Sequence, residues 1–243
     1  MQVWGCTDVG QVRENNQDSF YIEITDDGNA LCVVCDGMGG AKAGNVASRL
    51  AADSFIEHSK SVMRPGIKCE NIKEIMCDSL SAANQSVNDM AELDEFYNGM
   101  GTTLVAAISA QDDVVIINVG DSRAYLINKE GIERITRDHS VVEDMVEMGE
   151  LTAEEAKEHP GKNLITRAVG TDENVVGDIY TISAEKGSYI LLCTDGLTNL
   201  VSDQEILYEV LYGGEASVCC ERLIAIANTR GGYDNITAVL LAI

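Results

Sequence analysis

Residues 31–40, Leu-Cys-Val-Val-Cys-Asp-Gly-Met-Gly-Gly, join an apolar run to an acidic turn that is rich in glycine. The apolar part has the length and the Val content of a buried strand, so Asp36 is predicted at the end of a central strand. Residues 20–24 form another strand-like run, and the turn-forming residues 25–29 between the two runs predict a β-hairpin. Residues 43–58 follow with helical spacing of apolar side chains. This part of the chain therefore predicts a helix-covered sheet with a carboxylate at its edge.

The pairing of an apolar run with an aspartate is repeated along the chain. It recurs at 114–119 before Asp121, at 189–194 before Asp195, and at Asp234 before 236–243. Such runs are typical of buried strands, so these carboxylates are expected to gather at strand ends. Clustered carboxylates repel one another unless hydrogen bonds or cations neutralise them. The pattern predicts a site for a hard divalent metal ion.

Strands and helices fall into groups along the rest of the chain. Residues 102–110, 114–119 and 123–128 predict an antiparallel meander with tight turns at 111–113 and 120–122. Further strands are predicted at 178–182, 189–194 and 236–243, and further helices at 67–93, 203–211 and 216–228. This grouping indicates antiparallel sheets packed face to face, with helices outside. One domain, 1–243, is expected, with a mobile, polar, helix-prone insertion at 138–171.

Composition restricts the class of protein. The formal charge of -23, from 40 acidic and 17 basic residues, disfavours binding to nucleic acid or to an anionic membrane. No secretion signal or membrane-length apolar segment is evident, which favours a soluble cytoplasmic protein with reduced thiols. Cys32 and Cys35 are predicted on opposite faces of one strand, so they are poorly placed to share a metal. Three histidines are few for a zinc centre.

The ordered motifs resemble the protein phosphatase 2C family, the metal-dependent Ser/Thr protein phosphatases, in its compact bacterial form. The resemblance spans essentially the whole chain and rests on Gly10-Gln11-Val12-Arg13, Asn16-Gln17-Asp18, Asp36-Gly37-Met38-Gly39-Gly40, Gly101-Thr102-Thr103, Gly120-Asp121-Ser122-Arg123, Thr166-Arg167-Ala168-Val169-Gly170, Asp195-Gly196-Leu197 and Asp234-Asn235-Ile236-Thr237. It implies an α+β fold, a four-layer αββα sandwich of two antiparallel sheets flanked by helices. The metal site of that fold lies at one edge, between the sheets.

The resemblance also implies roles for individual residues. Asp36 would bridge two ions, Gly37 would offer its carbonyl to one, and Asp195 and Asp234 would bind the other. Asp18 would accept a hydrogen bond from a metal-bound water and would not bind the metal directly. Carboxylate and carbonyl ligands suit Mn²⁺ or Mg²⁺. Such ions activate a water for in-line attack on phosphoserine or phosphothreonine, without a phosphoenzyme.

Two arginines are assigned different roles. Arg13, on the first strand or its exit, matches the family's phosphate-binding arginine, and its planar fork can hold phosphate through two hydrogen bonds. Arg123 is expected to stabilise the fold by pairing with a nearby carboxylate.

Asp121 has two interpretations. Its side chain either caps the turn at 120–122 or, by resemblance, joins Asp195 in holding a third and weaker metal ion.

The source of the leaving-group proton is also open, because Met38 stands where some family members carry a histidine. Metal-held water or another residue would supply the proton, and His139 is a weak candidate. The Gly39-Gly40 pair is interpreted as a turn for metal approach, and Gly101 as backbone access near the site.

The principal hypothesis is thus a cytoplasmic, monomeric phosphatase acting on phosphorylated Ser/Thr proteins, including a cognate Ser/Thr kinase. One alternative is a catalytically silent phosphoprotein-binding module of the same fold. Another is a phosphatase specialised for an anti-sigma-factor antagonist. The sequence leaves the substrate protein, the choice of metal and the motion of 138–171 open.

Overall fold

The structure is a computed structural model that describes residues 1–93, 95–110, 113–183 and 185–243, without the side chains of 40–42. The strands within these ranges are β1 Gln2–Asp8, β2 Asp18–Ile24, β3 Ala30–Met38, β4 Gly101–Thr102, β5 Leu104–Ala110, β6 Asp113–Val119, β7 Arg123–Asn128, β8 Gly131–Arg134, β9 Asp178–Ser183, β10 Tyr189–Cys193 and β11 Ile236–Ala242. The α-helices are α1 Gly40–Val62, α2 Cys69–Leu93, α3 Val141–Glu147, α4 Ala153–Glu158, α5 Asp195–Thr198, α6 Asp203–Tyr212 and α7 Cys219–Thr229. The predicted turn at 111–113 falls largely outside the described residues.

The strands pair antiparallel in two sheets. In the described residues, one sheet has the order β1-β11-β10-β7-β8, and the other has the order β2-β3-β5-β6-β9 with β4 paired to β3. Alternate side chains of each strand point to opposite faces, so both faces of each sheet must be covered. This is the predicted sandwich of two antiparallel sheets.

Three apolar clusters bind the layers together. One lies between α1, α2 and the β2–β9 sheet, and includes Phe55, Met76 and Ile117. A second lies between the other sheet and α5 to α7, with Tyr125 fully buried. The third fills the space between the sheets and includes Ile116. The fold is therefore a four-layer αββα sandwich, and the predicted fold class is confirmed.

The predicted meander is wrong at its third strand. β5 and β6 pair with each other, but β7 pairs with β10 and β8 in the opposite sheet. Residues 120–122 therefore cross from one sheet to the other instead of forming a hairpin turn. Gly120 has a φ of 100°, and its N–H donates to Nδ1 of His139 at 3.1 Å. The pattern of apolar residues predicts a strand but does not say which sheet the strand joins.

Some elements were not predicted from the sequence. β1 pairs with β11 along its whole length, from Gln2 opposite Ala242 to Asp8 opposite Ile236. Strand β8 and the short helix α5 were also missed, and the run 102–110 is divided into β4 and β5. Helix α1 begins at Gly40, three residues before the predicted start.

The interpretation of the cysteines is supported by the layers. Cys35 packs in the helix-covered cluster and Cys32 between the sheets, so the two thiols do lie on opposite faces of β3. The cysteines are all free thiols. Within the described part of the chain, no helix has the length and apolar character needed to cross a membrane.

Candidate metal centre

A cavity of about 550 Å³ opens at one edge of the sandwich. Its wall includes Asp36, Asp121, Asp195 and Asp234, and also Arg13. The carboxylates come from the end of β3, the crossover after β6, the start of α5 and the loop before β11. The structure therefore brings together the four aspartates predicted as ligands and the arginine predicted to bind phosphate.

Asp36 is fixed by its backbone. Its N–H donates to Oγ1 of Thr103 at 2.9 Å, and its carbonyl accepts from the Thr103 N–H at 2.9 Å and from Oγ1 of Thr102 at 2.8 Å. The Thr103 hydroxyl in turn contacts Oγ of Ser122 at 2.7 Å. The threonines of the Gly101-Thr102-Thr103 motif therefore hold Asp36 in place, a role that was not predicted from the sequence.

Asp195 and Asp234 are brought together by a close approach of two turns. A Cβ at Gly196 would collide with the carbonyl oxygen of Asn235, so only glycine allows the turns to pack this closely. Oδ2 of Asp195 accepts from Nδ2 of Asn199 at 3.0 Å. Oδ1 of Asp234 accepts from the Asn235 N–H at 2.8 Å. Each carboxylate is thus oriented by a neighbour in its own turn.

Asp18 lies behind the cavity, directly opposite Asp36 in the pairing of β2 with β3. Its Oδ2 accepts from Oγ1 of Thr194 at 2.9 Å and from Oγ1 of Thr237 at 2.7 Å. Its Oδ1 is buried and has no hydrogen-bond partner among the described residues. A buried carboxylate oxygen needs a proton or a polar partner, because desolvation without one is costly. Water held by a cation in the cavity would satisfy that need.

The carboxyl groups raise one another's pKa. Burial, followed by repulsion from Asp18, raises the pKa of Asp36. Burial and the charge of Asp234 raise the pKa of Asp195. The pKa of Asp18 rises to about 7 chiefly through burial, and that of Asp121 rises to about 7 through burial and the charge of Asp195. Without a cation the cluster therefore disfavours full ionisation, and a divalent ion would remove the penalty.

Gly37 also lines the cavity, beside Asp36. Its N–H donates to the carbonyl of Gln17 at 3.0 Å, and a Cβ at this position would collide with the carbonyl oxygen of Gly44 in α1. Glycine is therefore required here by the packing of α1 against β3, and the metal contact of its carbonyl stays a prediction.

Arg13 lies in the loop that follows β1, five residues beyond its last residue Asp8. Its Nη2 donates to Oδ2 of Asp234 at 2.9 Å. The guanidinium therefore reaches the carboxylate cluster from the solvent side. Arg123, in contrast, makes its principal contacts with the buried Asp138, at distances of 2.6 to 3.1 Å, as predicted for a structural role.

His139 is buried beside the crossover, and it is not among the residues that line the cavity. Its Nδ1 accepts from the Gly120 N–H, which leaves the proton on Nε2, 3.3 Å from Oδ2 of Asp178. Burial lowers the pKa of the imidazole. These contacts give His139 a structural role and do not support it as the leaving-group acid. Met38, however, does line the cavity.

Two further contributions to this site were not predicted from the sequence. The side chain of Asn235, which belongs to a recognised motif, binds the loop that carries Arg13. Asn163 and Ile165, from the predicted insertion, line the cavity. Among the described residues, no three His, Cys, Asp or Glu side chains form a ready-made ligand cage. An ion here would therefore also need carbonyl and water ligands, as is usual for Mg²⁺.

The profile of the family described as Protein phosphatase 2C matches residues 10–224. The chain belongs to this family. It is 38% identical over 236 residues to the serine/threonine phosphatase stp of Listeria monocytogenes, covering 97% of this chain and 93% of that protein. It is 36% identical over 245 residues to the protein phosphatase PhpP of Streptococcus pneumoniae, covering 100% of this chain and 97% of that protein.

Solved structures of the family superpose closely on the chain. The serine/threonine phosphatase of S. agalactiae gives a TM-score of 0.92 at 34% identity, covering 100% of this chain and 99% of that one. The catalytic domain of the serine threonine protein phosphatase PstP, in complex with two manganese ions, gives a TM-score of 0.85 at 34% identity, covering 98% and 96%. The family resemblance inferred from the motifs is therefore confirmed.

Proposed function

We propose that this protein hydrolyses phosphoserine and phosphothreonine in other proteins. The observation that carries the proposal is the single cavity wall that contains Asp36, Asp195, Asp234 and Arg13. This wall combines clustered carboxylates with the guanidinium group of Arg13, a cation suited to binding phosphate. Membership of a family whose similar members are named serine/threonine phosphatases supports the same activity.

The donor set fits Mn²⁺ or Mg²⁺. Oxygen ligands dominate the wall, and the unpartnered Oδ1 of Asp18 lies behind it. Asp36 and the carbonyl of Gly37 would hold one ion, and Asp36, Asp195 and Asp234 the other. The PstP structure with two manganese ions supports this stoichiometry. When bound, the two ions would supply an activated water and neutralise phosphoryl oxygens.

The chain's own residues then orient the substrate. Arg13 can move its guanidinium from Asp234 to a phosphate oxygen, which offers a charge-assisted hydrogen bond. Thr103, the cavity residue with a hydroxyl, has that group engaged by Asp36 and Ser122. No Ser or Cys belongs to the described lining of the cavity. This supports direct attack by water.

The alternative of a silent binding module is less consistent with the site. A module that binds no metal would keep a buried carboxylate oxygen unsatisfied at Asp18 and mutual repulsion among the other aspartates, both of which destabilise the fold. The observations support a metal-loaded, active enzyme. They do not single out an anti-sigma-factor antagonist as substrate.

Several finer expectations stay predictions. They are the cytoplasmic location, the monomeric state, the cognate kinase as substrate, the third ion at Asp121 and Asp195, the single domain 1–243 and the mobility of 138–171.

The test is hydrolysis of phosphothreonine peptides by protein treated with EDTA and then supplied with Mn²⁺ or Mg²⁺. Activity should depend on the added ion and disappear in Asp36→Asn, which keeps the side-chain shape but removes the negative charge. Full turnover by metal-stripped protein would refute the two-metal proposal.

A further inference from the structure

The loop at 9–17, between β1 and β2, carries Arg13 and is fastened at both of its ends. Resting on the proposed function, we propose that Asn235 is a positioning residue for phosphate binding. Its side chain would hold this loop so that Arg13 faces the cavity.

The side-chain amide of Asn235 makes three hydrogen bonds to the loop, using both of its N–H donors and its oxygen. Oδ1 accepts from the Gln17 N–H at 2.8 Å. Nδ2 donates to the carbonyl of Val9 at 2.9 Å and to that of Asn15 at 3.0 Å. The partners require an acceptor on one side and two donors on the other, so the orientation of the amide is defined. One side chain therefore joins the start of the loop to its end.

The hydrogen bonds of Asn235 to the loop are shielded from water because its side chain is buried. Asn235 is only 4% exposed, whereas the Arg13 side chain is 52% exposed. An exposed, long side chain has little packing to define its position, so the position of Arg13 depends on the backbone that carries it. That backbone lies between residues held by Asn235.

Other contacts hold the loop against the turn at 232–235, which contains Asn235. The Gln11 N–H donates to the carbonyl of Gly232 at 2.8 Å. A Cβ at Gly10, whose φ is 80°, would collide with the carbonyl oxygen of Asp234. The turn that supplies the carboxylate of Asp234 thus also supports the loop that supplies Arg13. This arrangement ties the phosphate contact to the metal site through Asn235.

Asn84 in α2 offers a matched control. It is 2% exposed, its Nδ2 donates to the carbonyls of Asp172 and Glu173 at 2.9 and 3.1 Å, and its Oδ1 accepts from the Gly170 N–H at 2.7 Å. It therefore makes the same three bonds to a different segment, and neither Asn84 nor its partners at 170–173 are among the described residues that line the cavity. Asn84→Ala and Asn235→Ala should lose comparable stability.

The first measurement is a double-mutant cycle on a small aryl phosphate in saturating Mn²⁺. Asn235→Ala should raise KM about tenfold with a smaller change in kcat, because the phosphate contact loses its preorganised geometry. In an Arg13→Ala background the same substitution should change KM less than about twofold. Asn84→Ala should leave KM unchanged. Equal effects in both Arg13 backgrounds, or an equal effect of Asn84→Ala, would overturn the proposal.

The second measurement is amide hydrogen exchange, which needs no activity. Exchange at 9–17 should accelerate at least about tenfold in Asn235→Ala and should not change in Asn84→Ala. Unchanged exchange would overturn the proposal. If the wild type lacked phosphatase activity, the proposed function would fail while the exchange result still decided whether Asn235 holds the loop. Should Asn235→Ala fail to fold, Asn235→Ser should show a smaller change in the same direction in both experiments.

Discussion

Nη2 of Arg13 and Oδ2 of Asp234 are joined by an ion pair of 2.9 Å. The cation proposed to bind phosphate therefore contacts a carboxylate proposed to bind metal. The side chains are 52% and 36% exposed, and ion pairs this open to water contribute only about 0–1 kcal/mol. A divalent ion should therefore displace the guanidinium from Asp234 at small cost and leave it available to substrate.

Arg13→Ala should raise KM for a phosphothreonine peptide by roughly ten- to a hundredfold, because a charge-assisted hydrogen bond contributes about 1.5–3 kcal/mol. Mn²⁺ affinity should increase by no more than about fivefold, since only a weak competing ion pair is removed. Steady-state kinetics and calorimetry measure the two effects. Arg13→Lys, which keeps the charge without the planar fork, is the control, and its KM should lie between that of wild type and that of Arg13→Ala. Kinetics identical to wild type would make Arg13 an ordinary surface residue.

Replacing a proposed direct ligand should remove most activity. Asp36→Ala, Asp195→Ala and Asp234→Ala should each lower kcat on an aryl phosphate by about a hundredfold or more, because each loses an oxygen that holds an ion. Asp121→Ala should be milder, keeping two tightly bound ions and losing one weak site by calorimetry. The exposed Asp89→Ala in α2 is the matched control and should behave as wild type. A mild effect at Asp36 would be incompatible with a bridging role.

The metal-free protein should become less stable as pH rises from about 5 to 8, with most of the loss complete once pH passes 7. The pKa of Asp18 and that of Asp121 are raised to about 7 from 3.8 in the unfolded chain, so their stabilising contribution is complete below 3.8 and is lost as pH rises through 7. Urea unfolding in EDTA measures this slope. Asp18→Asn should flatten it, and so should saturating Mn²⁺. A metal-free stability that rises over the same interval would contradict the assignment.

The buried ion pair between Arg123 and Asp138, behind the crossover at 120–122, should contribute more to the free energy of unfolding than a nearby surface pair does. Asp138→Ala should lower the free energy of unfolding by about 3 kcal/mol or more, because Arg123 would keep a largely buried charge without its partner. Arg137 pairs with Asp144 and Glu147 at the surface, so Arg137→Ala should cost no more than about 1 kcal/mol. Urea denaturation of the two variants provides the comparison. Equal losses would show that burial does not decide the strength of these pairs.

The insertion at 138–171 should influence large substrates more than small ones. Asn163 and Ile165 border the cavity, while α4 has no buried residue. Replacing α4 by a glycine-serine linker of equal length should therefore lower activity on a phosphoprotein several-fold and leave aryl phosphate hydrolysis within about twofold. Parallel assays of the two substrates make the comparison. Equal losses would assign the segment to folding or to the integrity of the metal site.

Local patterns were sufficient to predict most of the strands and helices, though not β1, β8 and α5, because alternation and helical spacing record which side chains are buried. The same patterns placed Asp36, Asp195 and Asp234 at the ends of apolar runs. The family resemblance then related Arg13 and Asp18 to the site before any geometry was known. These features depend on residues that are close in sequence.

Tertiary structure decided what depends on distant partners. The oxygen Oδ2 of Asp18 is bound by threonines 176 and 219 residues away, and Asn235 binds a loop more than 200 residues before it. No local pattern specifies such pairs, because any polar side chain could satisfy its bonds with water or with many other partners. The sheet that β7 joins was undetermined for the same reason, since a strand's apolar run is equally compatible with either sheet. The positions of Arg13 and the carboxylates therefore follow from packing of the two sheets, which brings the remote turns together.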